Sequence, residues 1–470
     1  MRFRLRRVRT AKVRLLTVVT LLLVAGCSDP GTPVPVPPPP SETAPAAALP
    51  SGGAAAAVTE ADWTTYHHDN ARTGAAPGFT TVTGLRKAWT APLDGAVYGQ
   101  PLVLGDTVLA GTENDTVYAL DVARGAVRWS VHLGTPVRRR NLPCGNIDPL
   151  GITGTMVYDP GTGLVFAVAE TTGGRHTLYG LDVATGAVRL TRVADPPQGE
   201  LIAHQQRSAL TLLDGRVYVA YGGLAGDCAQ YIGAVVSVPT TGTGPLASYA
   251  IPTTREGGLW TPGGASVRNG RLYYAVGNGA ATREPYDGSD SVIALSPGLA
   301  LLDRFAPANW AADNAADLDL GSMSPAQVGG YVYITGKRGV GYVLRPDALG
   351  GIGGQVSQAD SCGAFGGSAV AGDVVYLPCT DGPRAVQVDA AGTAHELWRA
   401  RVAAAGSPVL GGGIWAVDVD HGALYVLDTA TGAVRAMLDI GAAPHFASPT
   451  LSRGRAYIGT MTGVVAVAAA

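Results

Sequence analysis

The residues able to do chemistry are few and lie in short words. Two carboxylates stand two apart in Asp317-Leu-Asp-Leu-Gly321, a pattern that suits proton transfer or a turn bonding its own backbone. Asp418-Val-Asp-His-Gly422 has the start of a calcium loop. The downstream Glu that would complete the oxygen cage is missing, so it reads as a hairpin turn. His67-His68 could ligate a metal, but the eight His are scattered and form no HExxH, and the pair reads as part of a polar lead-in. Gly336-Lys337 lacks the P-loop spacing and the Ser or Thr that should follow. No Ser sits in GxSxG, which excludes a hydrolase elbow. Chemistry here must be assembled from residues far apart in sequence, so the elements that position them come next.

Three segments nearly superimpose: Thr116 to Trp129 (TVYALDVARGAVRW), Thr177 to Leu190 (TLYGLDVATGAVRL) and Ala423 to Ala436 (ALYVLDTATGAVRA). Each is an alternating strand, a polar turn with Asp and Gly at fixed offsets, and a second strand. Weaker copies put further strands near Ala234–Val238, Ser291–Leu295, Val340–Leu344, Arg384–Val388 and Gly463–Val467. That makes eight units of about 40–60 residues with about four strands each, an all-β eight-bladed β-propeller of antiparallel sheets. The last unit lacks a fourth strand, and a spare one, Gly84 to Leu93, carries a Trp (Trp89) where Trp129 stands in the first repeat. This strand is predicted to complete the last blade and close the ring over residues 84–470. Closure of this kind removes an exposed sheet edge.

The first 26 residues hold seven Lys and Arg and no acid, then a 12-residue apolar run, Leu15–Gly26, too short for a permanent membrane span. Without them, 27 basic residues face 36 acidic ones, a net of −9 that disfavours nucleic-acid binding. Leu23-Val-Ala-Gly-Cys27 resembles the lipobox of bacterial lipoproteins. The resemblance implies a signal peptide over 1–26, lipid on Cys27, and attachment to the extracytoplasmic face of the cell membrane. Residues 27–58, rich in Pro and Ala, read as a disordered tether reaching up to about 90 Å, and 59–83 as a lead-in segment. Outside the cytosol, the four remaining Cys are expected to pair: Cys362 with Cys379 inside one repeat, then Cys144 with Cys228 by elimination. A monomer is expected.

The VYALD…G…W words resemble the repeat of pyrroloquinoline quinone (PQQ)-type propellers, a group that includes quinoprotein alcohol dehydrogenases and an envelope-assembly lipoprotein. The resemblance spans residues 63–470. It implies a site in the central channel with PQQ and calcium. By local context Glu170 and Asn278 match the metal ligands, Trp260 the ring that stacks on the quinone, Lys337 the cation that contacts it, and Asp317 or Asp319 the general base. The chain departs from the dehydrogenases in having no adjacent Cys-Cys pair and no CxxCH for haem. The leading expectation is therefore a lipid-tethered propeller that binds a small ligand or a protein partner through its loop face and channel mouth. A PQQ- and calcium-dependent alcohol or sugar dehydrogenase and an envelope-assembly scaffold are the alternatives. The words Cys144 to Thr153, Gln206-Arg207 and Trp260 to Lys337 fall mostly on loops, where binding groups usually sit on a rigid scaffold.

Overall fold

A computed structural model describes residues 58–470; the expected signal peptide, Cys27 and nearly all of the tether lie outside the described residues. The described chain forms eight antiparallel blades, and each runs from the channel outward. Blade 1 is Leu102–Leu104, Thr107–Gly111, Thr116–Asp121 and Val127–His132; blades 2 to 7 follow over 157–193, 204–250, 266–306, 326–360, 369–399 and 409–439, with a short extra strand, His204–Gln205, in blade 3. Blade 4 gains a short parallel strand at its rim, Gly351–Ile352 against Phe305 and Ala306. Blade 8 joins the two ends of the ring. Its outer strand is Leu85–Pro92, paired antiparallel with Gly463–Ala469, so that Trp89 stands opposite Ala466 and Thr90 opposite Val465.

The repeat signature is a contact between blades. In the first repeat Asp121 accepts the Ala123 and Arg124 amides, and Gly125 follows at φ 69°. A Cβ at Gly125 would lie 2.6 Å from the Trp89 ring, which comes from blade 8, and the Trp89 indole donates to Val122 O at 3.0 Å. The same arrangement seats Trp129 of blade 1 on Gly186 of blade 2, and Trp398 of blade 6 on Gly432 of blade 7. Only glycine offers both the left-handed backbone and the bare surface the ring needs. Where blade 2 has Leu190 in place of Trp, the leucine packs on Gly242 instead.

The lead-in does more than precede the ring. It runs across one end of the channel and bonds to inner strands in turn. Ala61 O accepts Ser452, Trp63 pairs with Val103, and Thr64 O accepts Tyr158. Asn70 bridges Leu212 and Val267, Thr73 O accepts Val370, and Gly74 O accepts Leu410. Arg72 is buried with every donor group engaged: Nε to Ala265 O, Nη1 to Thr65 Oγ1 and Tyr66 O, Nη2 to Leu210 O and Thr211 Oγ1. His67 is buried deeper, between Ser368 O and Ser448 Oγ, and burial pushes its pKa down to about 3, so it stays neutral. One end of the channel is thus stoppered by the chain's own N-terminal segment.

Both disulfides form as expected, Cys144–Cys228 and Cys362–Cys379. Among the described residues no helix is long and apolar enough to cross a membrane. Because Trp89 carries the ring's closing contact and is 9% exposed, Trp89→Ala should cost about 3–5 kcal/mol, the usual range for a buried aromatic. Denaturant melts of the two proteins measure it, and a midpoint unchanged from wild type would contradict the closing role.

Candidate functional site

A cavity of about 420 Å³ opens at the end of the channel opposite the lead-in. It is built from loops leading into the inner strands and from hairpins of blades 3, 4 and 5. One polar wall comes from blades 4 and 5. The only α-helix among the described residues, Trp310–Ala316, ends at Asp317, which caps it in the left-handed region at φ 52°. Two residues on, the chain turns against the blade 4 hairpin. A Cβ at Gly321 would fall 2.3 Å from the Gly277 nitrogen, so this close approach requires glycine and brings Asp319 beside Asn278.

Within that wall the Asn278 amide donates to Asp317 Oδ1 at 2.6 Å, and Lys337 Nζ sits 2.5 Å from Asp317 Oδ1 and 2.8 Å from Asp319 Oδ2. Asp317 is largely exposed, whereas Asp319 is 3% exposed. Burial raises the Asp319 carboxyl to about 6 against the opposing pull of Lys337. Burial would lower the Lys337 ammonium, but the two carboxylates raise it overall. Asn278 Oδ1 and Asp319 Oδ1 are buried without partners. Two unpartnered oxygens in one wall suit a hard cation or a donor group on a ligand.

The remaining walls are aromatic. Trp260 packs on the bare backbone of Gly222 and lies 6.0 Å from Phe446 and 6.4 Å from Phe365, centroid to centroid. Phe446 holds φ 67°, an uncommon conformation for a bulky residue and one that clusters at ligand clamps. Tyr98, Arg207, Tyr231 and Asp227 complete the lining, with Asp227 accepting the Tyr231 hydroxyl at 2.6 Å. The Cys144–Cys228 bridge ties together the loops that carry Asn146, Ile147, Gly226 and Asp227 at the rim.

Of the residues read from sequence, Trp260, Asn278, Asp317, Asp319 and Lys337 all line this cavity. Glu170 does not; it lies at 1% exposure facing His176, with Nε2 3.2 Å away, and His176 stacks edge-on against Tyr221 of blade 3. The side chain of Glu170 points between blades because even-numbered positions of its strand, Phe166 and Val168, also face blade 3. No three or more His, Cys, Asp or Glu among the described residues converge to hold a metal, so a cation here would depend on Asn278 and Asp319 together with oxygens from a ligand or water. Sequence reading missed Tyr98, Phe365 and Phe446 and gave Arg207 no role. The signal was present: all four stand four residues before an inner strand, in YGQP, RSAL, FGGS and FASP.

The fold and its repeats define an eight-bladed β-propeller. Residues 78–264 match the family model for the outer membrane protein assembly factor BamB. A polyvinylalcohol dehydrogenase of Sphingopyxis sp. (strain 113P3) is 25% identical over 260 residues, a stretch covering 50% of this chain and 37% of that protein's length. Among solved structures, the quinohemoprotein alcohol dehydrogenase ADHIIG from Pseudomonas putida HK5 superposes with a TM-score of 0.67 at 13% identity, covering 87% of this chain and 80% of that one. A europium-containing methanol dehydrogenase gives 0.66 at 16% identity, with 88% and 98% covered. BamB from Moraxella catarrhalis gives 0.53 at 16% identity, with 82% and 97% covered.

Asp319 holds its proton to a higher pH when folded, about 6, than an unfolded Asp does, about 3.9. Folding therefore takes up a proton between those values, and the stability that Asp319 contributes falls as pH rises through that window. Melting temperatures measured from pH 4 to 6.5 should fall less steeply for Asp319→Asn than for wild type. Lys337→Met removes the opposing cation and should move the window upward; identical slopes in all three proteins would contradict this assignment.

Proposed function

We propose that the cavity holds a flat, redox-active quinone of the PQQ type, and that the protein is a dehydrogenase of small hydroxylated molecules. The observation that carries this reading is the convergence of Trp260, Asn278, Asp317, Asp319 and Lys337, distant in sequence, on one cavity with aromatic walls. Trp260 offers a face to a planar ring. Lys337 offers a hydrogen bond to a quinone oxygen, and Asn278 and Asp319 offer oxygens to a calcium ion. The quinone, when bound, supplies the two-electron acceptor. Asp317, the second carboxylate of the wall and largely exposed to the cavity, is placed to accept a hydroxyl proton. Lys337 holds that carboxylate in place.

The same reading places the protein outside the cytoplasm, anchored through lipid at Cys27. Two disulfides in the body support an oxidising compartment. The likeness to BamB supports a different reading, an envelope scaffold acting through protein contacts. The cavity, with one polar wall and aromatic ones around it, favours the small ligand.

The test is direct. PQQ with calcium, added to the purified protein at about 100 times its dissociation constant, should stabilise it by about 2.7 kcal/mol, read as a rise in melting temperature. Dye-linked oxidation of an alcohol and sugar panel should then appear. No shift and no turnover would remove the dehydrogenase. Trp260→Ala should abolish the shift, while Asn278→Ala should weaken its dependence on calcium and leave the unliganded melt near wild type. An unaltered calcium response would exclude Asn278 as a ligand.

A further inference from the structure

Two arginines are buried near the channel axis, and they differ in one respect. Arg72 spends all its donor groups on the lead-in and inner strands. Arg207, 7% exposed, makes one hydrogen bond, from Nη2 to His445 O at 3.0 Å. Its Nε and Nη1 have no partner among the described residues, and no carboxylate lies within 4 Å of it there. The guanidinium carbon instead lies over two rings, 5.7 Å from the Tyr98 centroid and 5.5 Å from that of Phe446. Its position is fixed from below, because the neighbouring Ser208 hydroxyl bonds both Leu259 O and Thr261 O. Arg207 lines the cavity.

The other lysine or arginine in the lining, Lys337, is matched by two carboxylates. Glu113 is the acid with the strongest pull on Arg207, but its Oε2 is taken by Gly151 N and Thr153 Oγ1. Burial raises Glu113 to about 8, so it is mostly neutral at pH 7. Burying a charge without a counter-ion is costly, and a cavity-lining guanidinium with unpaired donors is a ready fork for an anionic oxygen pair.

We propose that Arg207 is the anchor for a carboxylate or phosphate group on the cavity's ligand, so that the ligand is an organic anion whose flat body lies against Trp260 and Phe446. This rests on the ligand-binding reading above and adds the charge that the ligand must carry. Tyr98 and Phe446 pre-orient the fork, and the His445 carbonyl holds one of its ends.

The probes are PQQ, which bears three carboxylates, and its trimethyl ester, which keeps the ring and loses the charges. Binding to the full chain is read by quenching of tryptophan fluorescence. Wild type should bind the acid about 10- to 100-fold more tightly than the ester, the range for hydrogen bonds to a charged group. Arg207→Gln should erase that preference with little change for the ester, and Arg207→Lys should keep part of it. Equal binding of acid and ester by wild type would overturn the proposal without any variant, so a folding defect cannot decide the outcome. A preference that persists in a folded Arg207→Gln would overturn it too. If wild type binds neither compound, the quinone reading falls. The anion site is then decided by 2-naphthoate against 2-naphthylmethanol: a preference for the carboxylate, lost in Arg207→Gln, supports it, and no preference or no binding refutes it.

Discussion

The packing of an indole on a bare glycine in the next blade is the contact on which the rest of this molecule depends. A propeller blade cannot bury its faces alone; it needs a neighbour on each side. The Trp89, Trp129 and Trp398 rings supply that registration at three joints by combining ring-on-backbone contact with a hydrogen bond to a main-chain carbonyl. The strand that carries Trp89 differs in kind, since its backbone pairs with Gly463–Ala469, almost four hundred positions away, and so closes the ring. Without it the loops that carry Tyr98 and Phe446 would belong to the two free ends of an open array, and the cavity would lose a wall.

The ring was legible in the sequence because its constraints are local and repeated. Asp121, Asp182 and Asp428 each cap a turn through backbone amides within three residues, and this leaves a fixed spacing that any reader can align. The polar wall was legible through resemblance, since Asn278, Asp317, Asp319 and Lys337 stand in recognisable words. What escaped is instructive. Glu170 has the right neighbours in sequence, but strand alternation turns it between blades and toward His176. The outward or inward sense of one strand residue depends on register, and a shift of one position reverses it. The aromatic lining escaped for the opposite reason: Tyr98, Phe365 and Phe446 occupy one structural position in three blades, but their flanking residues vary, so nothing repeats except the place.

The lead-in was read as a polar preface, and its part in the architecture was not visible. Its sequence, with His67, Asn70 and Arg72, looks like surface. Its burial becomes intelligible only when the carbonyls at the inner strands are counted, because those groups would otherwise face an unfilled channel and buried backbone acceptors need donors. Arg72 and Asn70 supply several at once. Polar residues are thus buried here because the surrounding main chain is unsatisfied.

The stopper has a topological effect on traffic. With one end of the bore filled by Trp63, Tyr66 and His67, whatever enters must back out by the way it came. A long chain could insert an end or a side group but could not be threaded through from side to side. Any ligand of this cavity would have to clear the mouth before the next one could enter.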